Sequence, residues 1–365
     1  MSTLLVACLG CRREFRVVER LQGRTIACPH CRKPVVVAAK VEPADRLVGQ
    51  EIAGCRLIRR LGAGALGVVY EAERAGRQVA IKLLSSQAAQ DAEVVARFQR
   101  EAGIARGVTH PNLVAVLDSG HARGTHYLVM EFVPGGTLAA LVEDGPIPWR
   151  DAVRHGAALA EVLSALHARE IIHRDLKPAN VLVGTDGVAR LADLGLAKRI
   201  ESQGDPEQGL TMQGTSMGSP AYMPPEQVTD ARSAGPTADL YSLGATIYHL
   251  VAGRAPFVGK LGSEVMEKVL NELPADPRQF APDCPLPLAE LILALLAKDP
   301  ADRPQSAAEV AATFTAITAG TTAIRRIPPR RKPVQKRTRW WPWLLVAVVL
   351  VAAGVGVWLV ATHRI

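Results

Sequence analysis

The stretch Val68-Val69-Tyr70-Glu71-Ala72 is a short run of β-forming residues that follows directly on a cluster of glycines. Its alternation predicts a strand, and with the glycines before it a strand–loop–strand hairpin. Val79-Ala80-Ile81-Lys82 reads as another apolar strand, ended by a cation. The rhythm then becomes helical: Val94, Val95, Phe98, Ala102 and Ala105 fall on one helical face. His110-Pro111-Asn112 is expected to close that region, because a residue before proline avoids the α conformation. Tyr127 to Val133 is a nearly unbroken apolar run bounded by Pro134-Gly135-Gly136, and predicts a buried strand entering a turn. Near the end the periodicity disappears. Leu344 to Ala361 is an uncharged run of 18 residues, long enough to cross a membrane as a helix.

Charge sharpens the picture of the ends. The formal net charge is +8, from 43 Lys/Arg and 35 Asp/Glu, a balance that first suggests a nucleic-acid partner. Eight of the cations lie between residues 325 and 339, Arg364 adds a ninth, and no acid follows Arg325. Without those nine, 34 basic residues face 35 acidic ones, so the basic character reads as a local run and nucleic acid is not the expected partner. The run stands beside Trp340-Trp341-Pro342-Trp343, which suit a membrane interface, and Lys/Arg clusters mark the cytoplasmic side. The expectation is a basic juxtamembrane stretch at 319–340, a single transmembrane helix at 341–361 and a short tail at 362–365 on the far side. The basic stretch would also meet anionic lipid. A buried core helix is the rival reading of 341–361. Ala352 and Gly356 form a small-xxx-small pair, a weak sign of helix dimerisation.

The candidate chemistry lies between residues 51 and 318. Gly62, Gly64 and Gly67 give a G-x-G-x-x-G pattern, whose backbone N–H groups can approach phosphate oxygens because no Cβ intervenes. A dinucleotide site shares these glycines, but there a helix opens directly after the loop, where this chain has strand formers. His173-Arg174-Asp175-Leu176-Lys177-Pro178-Ala179-Asn180, followed by Asp193-Leu194-Gly195, supplies parts of a phosphoryl-transfer site. Asp175 is placed to orient a hydroxyl and accept its proton. Asn180 and Asp193 offer oxygen ligands for Mg²⁺, and Lys177 can meet a transferring phosphate.

Taken in this order, the motifs resemble a protein kinase. Over about residues 54–316 the chain is similar to the bacterial, eukaryotic-like serine/threonine kinases. The resemblance implies an α+β, bilobal fold with a β-rich N-lobe and a helical C-lobe, using ATP and Mg²⁺. It gives Lys82 the α- and β-phosphates, with Glu101 as the carboxylate that fixes it and Glu93 as the competitor. The backbone from Glu131 to Val133 would bond adenine beside a gatekeeper, Met130, and Val69, Ala80 and Leu182 would sandwich the ring. Lys177 after His-Arg-Asp-Leu resembles the Ser/Thr-specific branch. Arg174 would pair with a phosphate on an activation segment running from Asp193 to Glu226, where Thr211, Thr215 and Ser216 are the candidates and Ser219 contacts the catalytic loop. Glu226 should pair with Arg303, and Asp239 should brace the catalytic loop. Leu194 and Pro224 depart from the family's Phe and Ala. The implied partners are protein substrates carrying Ser or Thr, the membrane, and a second copy for trans-autophosphorylation. The implied location is the bacterial cytoplasmic membrane with the kinase inside. The alternative is a catalytically weak ATP-binding scaffold that docks partners through its N-terminus.

That N-terminus, residues 1–38, carries Cys8-Leu9-Gly10-Cys11 and Cys28-Pro29-His30-Cys31, sixteen residues apart. The spacing fits a four-thiolate structural Zn²⁺ site. Phe15, Val17 and Val35-Val36-Val37 make it resemble a zinc ribbon, joined to the kinase by a linker at 39–50. A pair of disulfides is the rival, disfavoured in the cytoplasm. Leu5-Val6-Ala7-Cys8 lacks the flanks of a lipoprotein signal. Nucleic-acid binding, protein docking and capping all remain open as the ribbon's task. Cys55 and Cys284 read as ordinary core or surface residues.

Overall fold

The computed structural model describes residues 3–8, 10–11, 13–18, 25–36, 45–64, 66–193, 220–230 and 234–320, without the side chains of Arg97 and Glu101. The predicted span at 341–361, its basic flank, the phosphorylation candidates Thr211, Thr215 and Ser216, and Ser219, expected to contact the catalytic loop, lie outside the described residues. Among the described residues no helix is long and apolar enough to cross a membrane.

Two small hairpins come first. β1 (Thr3–Ala7) pairs antiparallel with β2 (Glu14–Val18), and β3 (Thr25–Ala27) with β4 (Pro34–Val36). Each hairpin carries one Cys-x-x-Cys turn. Their shared core is Cys8, Cys28 and Val35, packed by Val6, Phe15, Cys11 and Cys31.

A six-stranded antiparallel sheet follows, in the order β5 (Glu51–Ile52), β6 (Cys55–Gly64), β7 (Gly67–Arg74), β8 (Arg77–Leu84), β10 (Thr125–Glu131), β9 (Val116–Ala122). Alternation gives the sheet two apolar faces. Leu57, Tyr70, Val79, Ile81, Leu83 and Val129 fill one, and Leu47 packs against them. The end of the expected linker is therefore part of this lobe: Tyr70 donates its hydroxyl to Asp45 Oδ2 at 2.8 Å, and Gly49 N–H bonds the Leu57 carbonyl. The other face receives helix α1 (Ala92–Arg106) through Val94, Phe98 and Ala102. Asp91 starts α1 by accepting the N–H groups of Glu93 and Val94. Burying a side chain such as Phe98 contributes roughly 1.5–3 kcal/mol, which fixes α1 on the sheet. The helix ends at Arg106, four residues before His110-Pro111, so Gly107 rather than the proline closes it.

Beyond β10 the chain turns through β11 (Gly135–Thr137) and α2 (Leu138–Leu141) into a helical lobe. It contains α3 (Trp149–His167), α4 (Pro225–Thr229), α5 (Pro236–Ala252), α6 (Gly262–Asn271), α7 (Leu286–Leu295) and α8 (Ala307–Thr318). Helix α5 is buried along almost its whole length, which explains why its sequence shows no amphipathic stripe. α3 and α8 meet at Gly156, where a Cβ would lie 2.8 Å from the Phe314 ring. β11, β12 (Val181–Gly184) and β13 (Ala189–Leu191) form a three-stranded sheet beside these helices. The bilobal α+β architecture expected from the motifs is the one observed.

Candidate active site

One side of the site is the β6–β7 hairpin. Gly67 sits where a Cβ would come within 1.9 Å of the Leu83 carbonyl oxygen, so no side chain fits between β7 and β8. Gly62 and Gly64 differ, because a Cβ on either would meet nothing within 4 Å. The glycine pattern thus combines one position demanded by packing with two that leave the hairpin backbone bare. Val69 and Ala80, from β7 and β8, join Met130, Val133 and Leu182 in one apolar cluster, as the ring-sandwich expectation requires. Not every expected hinge donor is available. Glu131 N–H is committed to the Ala115 carbonyl at 2.8 Å, whereas Val133 N–H has no backbone partner among the described residues.

Lys82 Nζ donates to Asp193 Oδ1 at 2.8 Å, with the lysine mostly buried. This contact joins residues 111 positions apart and brings the two halves of the sequence motif together. The expected partner of Lys82, Glu101, lies on α1, and its side chain is outside the described residues.

The other side is the catalytic-loop octet. Asp175 is buried, and Asn180 Nδ2 donates both to its Oδ2 at 2.9 Å and to its backbone carbonyl at 2.8 Å. Lys177 Nζ stands 3.2 Å from the same Oδ2. With its NH₂ committed to Asp175, Asn180 turns Oδ1 the other way. Asn180 O also accepts the Ala192 N–H, which ties the loop to the residue before Asp193. An amide oxygen and a carboxylate are hard, oxygen-only donors, and they fit Mg²⁺ with coordination positions left for phosphate and water.

Two residues the motif reading left without a role hold this geometry. His173, fully buried, donates Nε2–H to the Ala192 carbonyl at 3.1 Å and accepts the Asp175 N–H on Nδ1 at 3.3 Å. One ring therefore links Asp175 to the strand that delivers Asp193. Gln227 Nε2 donates to the Arg174 carbonyl at 3.2 Å. His173 could have been found in the octet itself, but Gln227 carries no local signal. Asp239 braces the loop as expected, accepting the N–H groups of His173 at 2.9 Å and Arg174 at 2.8 Å while His167 Nε2 bonds its Oδ2. Arg174 and Asp193 have φ of 65° and 56°, left-handed values that L side chains disfavour by about 1–3 kcal/mol. The bracing bonds offset that strain.

Glu226 and Arg303 form the expected bidentate pair, with both N···O distances 2.7 Å. Arg303 also donates to the carbonyls of Ala297, Thr237 and Lys298, so all five of its N–H groups are used in a fully buried setting. This pair anchors α4, the first helix after Met223-Pro224.

In the hairpin unit, the Sγ atoms of Cys8, Cys11, Cys28 and Cys31 all lie within 4.8 Å of one another, and the cysteines are free thiols. The Cys8–Cys31 and Cys11–Cys28 separations are 3.5 and 3.7 Å. Four sulfurs about 2.3 Å from one tetrahedral Zn²⁺ would be about 3.8 Å apart. The Cys11 backbone N–H leads the interactions that pull the Cys8 thiol down to about 6. Cys31 is driven the other way: against the Lys33 N–H, burial and the neighbouring cysteines push it up to about 12. Four thiols this close cannot all ionise without a cation among them, and the set fits Zn²⁺.

Residues 55–314 match the protein kinase domain family. The serine/threonine-protein kinase pkn2 of Myxococcus xanthus is 38% identical over 268 residues, 72% of this chain and 32% of that protein. PknA of Mycobacterium tuberculosis is 35% identical over 292 residues, 78% of this chain and 64% of PknA. A probable serine/threonine-protein kinase of Clostridium perfringens is 36% identical over 261 residues, 37% of its length. The chain thus spans from about a third to under two thirds of these relatives. The crystal structure of the M. tuberculosis PknI kinase domain superposes with a TM-score of 0.57 at 30% identity, covering 73% of this chain and 97% of that domain. With its glycine hairpin, its Lys82–Asp193 contact and its braced catalytic loop, the chain belongs to the bacterial, eukaryotic-like serine/threonine protein kinases.

Proposed function

We propose that this chain transfers the γ-phosphate of ATP to Ser and Thr hydroxyls of cytoplasmic proteins while anchored to the bacterial membrane. The observation that carries the transfer chemistry is the meeting of Lys82 with Asp193 beside the Asn180-held carboxylate of Asp175. Val69, Ala80, Met130 and Leu182 provide an apolar slot for adenine, and Val133 N–H, which has no backbone partner among the described residues, offers a donor beside it. Gly62 and Gly64 keep the hairpin backbone open to phosphates, Gly67 lets β7 pack against the Leu83 carbonyl, and Lys82 neutralises the phosphates, positioned by Glu101 once nucleotide is bound. Asn180 and Asp193 would hold Mg²⁺, which supplies charge neutralisation on the phosphates. Asp175 orients the acceptor hydroxyl and takes its proton, and Lys177 meets charge on the group in transit. Arg174 Nε is buried without a partner among the described residues, which supports its expected role toward a phosphorylated Thr211, Thr215 or Ser216.

The hairpin unit is a zinc ribbon in this reading, a structural Zn²⁺ site of Cys8, Cys11, Cys28 and Cys31. The helix at 341–361 provides the membrane anchor, with the basic run on the cytoplasmic face, and a second copy phosphorylates the first.

The direct test is γ-phosphate transfer to a generic basic protein with Mg²⁺, comparing wild type with Asp175→Asn, followed by phosphoamino-acid analysis. Removing a positioned base lowers rate by about 10²–10⁴-fold. Equal, poor transfer by both proteins would favour the scaffold reading instead. One zinc per chain by elemental analysis, lost in Cys8→Ser/Cys11→Ser, tests the ribbon.

A further inference from the structure

Subtracting only the C-terminal run from the charge balance hides a second basic concentration. Residues 1–40 hold eight Lys/Arg and two Glu, whereas residues 41–324 hold 26 Lys/Arg and 33 Asp/Glu. An acidic catalytic region therefore separates two basic ends. The N-terminal cations follow a repeat: Cys8-Leu9-Gly10-Cys11-Arg12-Arg13 and Cys28-Pro29-His30-Cys31-Arg32-Lys33 both read Cys-x-x-Cys followed by two cations.

The structure repeats as well. Cys8 N–H bonds the Arg13 carbonyl at 3.0 Å, and Cys28 N–H bonds the Lys33 carbonyl at 2.9 Å. Because the four sulfurs converge, the two turns and their cations come together. The Lys33 stem crosses to the first turn, its Cδ lying 2.6 Å from where a Cβ on Gly10 would be. Arg13, Arg16, Arg32 and Lys33 are exposed, and none has an ion-pair partner among the described residues. In the six-stranded sheet, by contrast, Arg56, Arg59 and Arg74 each hold a carboxylate. The His30 ring is exposed and stands edge-on to Phe15 at 6.4 Å, an aromatic pair that spans the two hairpins.

We propose that this N-terminal unit binds single-stranded nucleic acid across its basic, aromatic-bearing face. The bland account is that the cations neutralise a thiolate centre. Four thiolates on one divalent cation carry a charge of −2, and eight cations less two Glu exceed that threefold. Unpaired cations next to a flat ring meet what a single strand offers, phosphates at intervals and stackable bases. The described strands of the unit are three to five residues long with no helix among them, so nothing in it is shaped to fill a duplex groove. The proposal does not depend on phosphoryl transfer.

The test uses the full chain in nonionic detergent and fluorescence anisotropy of labelled 20-nucleotide single-stranded DNA and RNA over a salt series. The wild type should bind at 50 mM salt. The variant Arg13→Ala/Arg16→Ala/Arg32→Ala/Lys33→Ala should bind at least about tenfold more weakly at 100 mM salt. Four lost phosphate contacts should also flatten the slope of log K against log salt by about 3. His30→Ala should weaken binding with the slope unchanged, because stacking releases no counterions. Phosphorylation of a basic protein should be the same in all three. Absence of wild-type binding at 50 mM salt overturns the proposal. So does an unchanged affinity and slope in the fourfold variant, which would assign binding to the C-terminal run. If the fourfold variant loses only its retention on micelles doped with phosphatidylserine, the face is a lipid contact and the proposal fails.

Discussion

Arg303→Ala tests whether the helical lobe is held at α4 by the pair described above. In the native lobe the guanidinium is fully buried and satisfies five acceptors: two Glu226 oxygens and the carbonyls of Thr237, Ala297 and Lys298. The substitution takes the guanidinium from a mostly buried carboxylate and the donors from three carbonyls. Breaking a buried pair from one side costs about 3–5 kcal/mol. The orphaned carbonyls would each add about 1–3 kcal/mol if dry, but the vacated volume admits water, which keeps the total near the pair value. That is a large share of a typical stability of about 5–15 kcal/mol. Urea unfolding followed by far-UV circular dichroism should show the midpoint falling with little change in slope. Glu226→Leu/Arg303→Met should recover part of the loss, because the uncompensated charge is gone while Thr237, Ala297 and Lys298 still lack donors. A cost below about 1 kcal/mol for Arg303→Ala, or additive single and double variants, would refute the argument.

Gly67→Ala should destabilise the sheet by several kcal/mol, because its Cβ would collide with the Leu83 carbonyl. Gly64→Ala should fold normally and raise KM for ATP; thermal melts and ATP titrations separate the two. Asp239→Asn removes the carboxylate that accepts the His173 and Arg174 N–H groups. It should lower kcat more than KM, and equal kinetics to wild type would contradict the bracing role. Stability should also fall as the pH drops below the usual imidazole value of about 6.5. Burial holds the His155 and His249 imidazoles below their usual 6.5, so on acidification the unfolded chain takes up protons that the folded chain refuses. This loss precedes that of the carboxylates. Asp118, despite burial, is held low by Arg74, and Arg190 holds Asp186 at about 2. Their contributions are complete above about pH 4 and disappear only as pH falls through those depressed values. Melting temperatures from pH 8 to 5 should decline in wild type and flatten in His155→Gln; an identical decline would exclude His155 as the cause.

The sequence by itself determined the elements and the chemistry. Glycines before strand formers gave a hairpin, and the spacing from Val94 to Ala105 gave a helix, because backbone freedom and hydrophobic period are local properties. The octet and Asp193 gave the reaction class, since phosphoryl transfer demands few residue types and those residues lie close in sequence. Some of the bracing is legible too, but only through resemblance, which pairs Glu226 with Arg303 and sets Asp239 against the catalytic loop. The tertiary structure decided what depends on approach between distant segments. It separated Gly67, excluded by the Leu83 carbonyl, from Gly62 and Gly64, which are bare. It committed Glu131 N–H to Ala115 and so narrowed the hinge donors. It set the helix end at Arg106, four residues before His110-Pro111, with Gly107 closing it. It gave His173 and Gln227 their roles, because a hydrogen bond between remote segments leaves no periodic trace in a sequence. It also drew two Cys-x-x-Cys turns together, each followed by exposed cations. A whole-chain balance averages those cations against the acidic catalytic region, although a count over residues 1–40 alone already shows them.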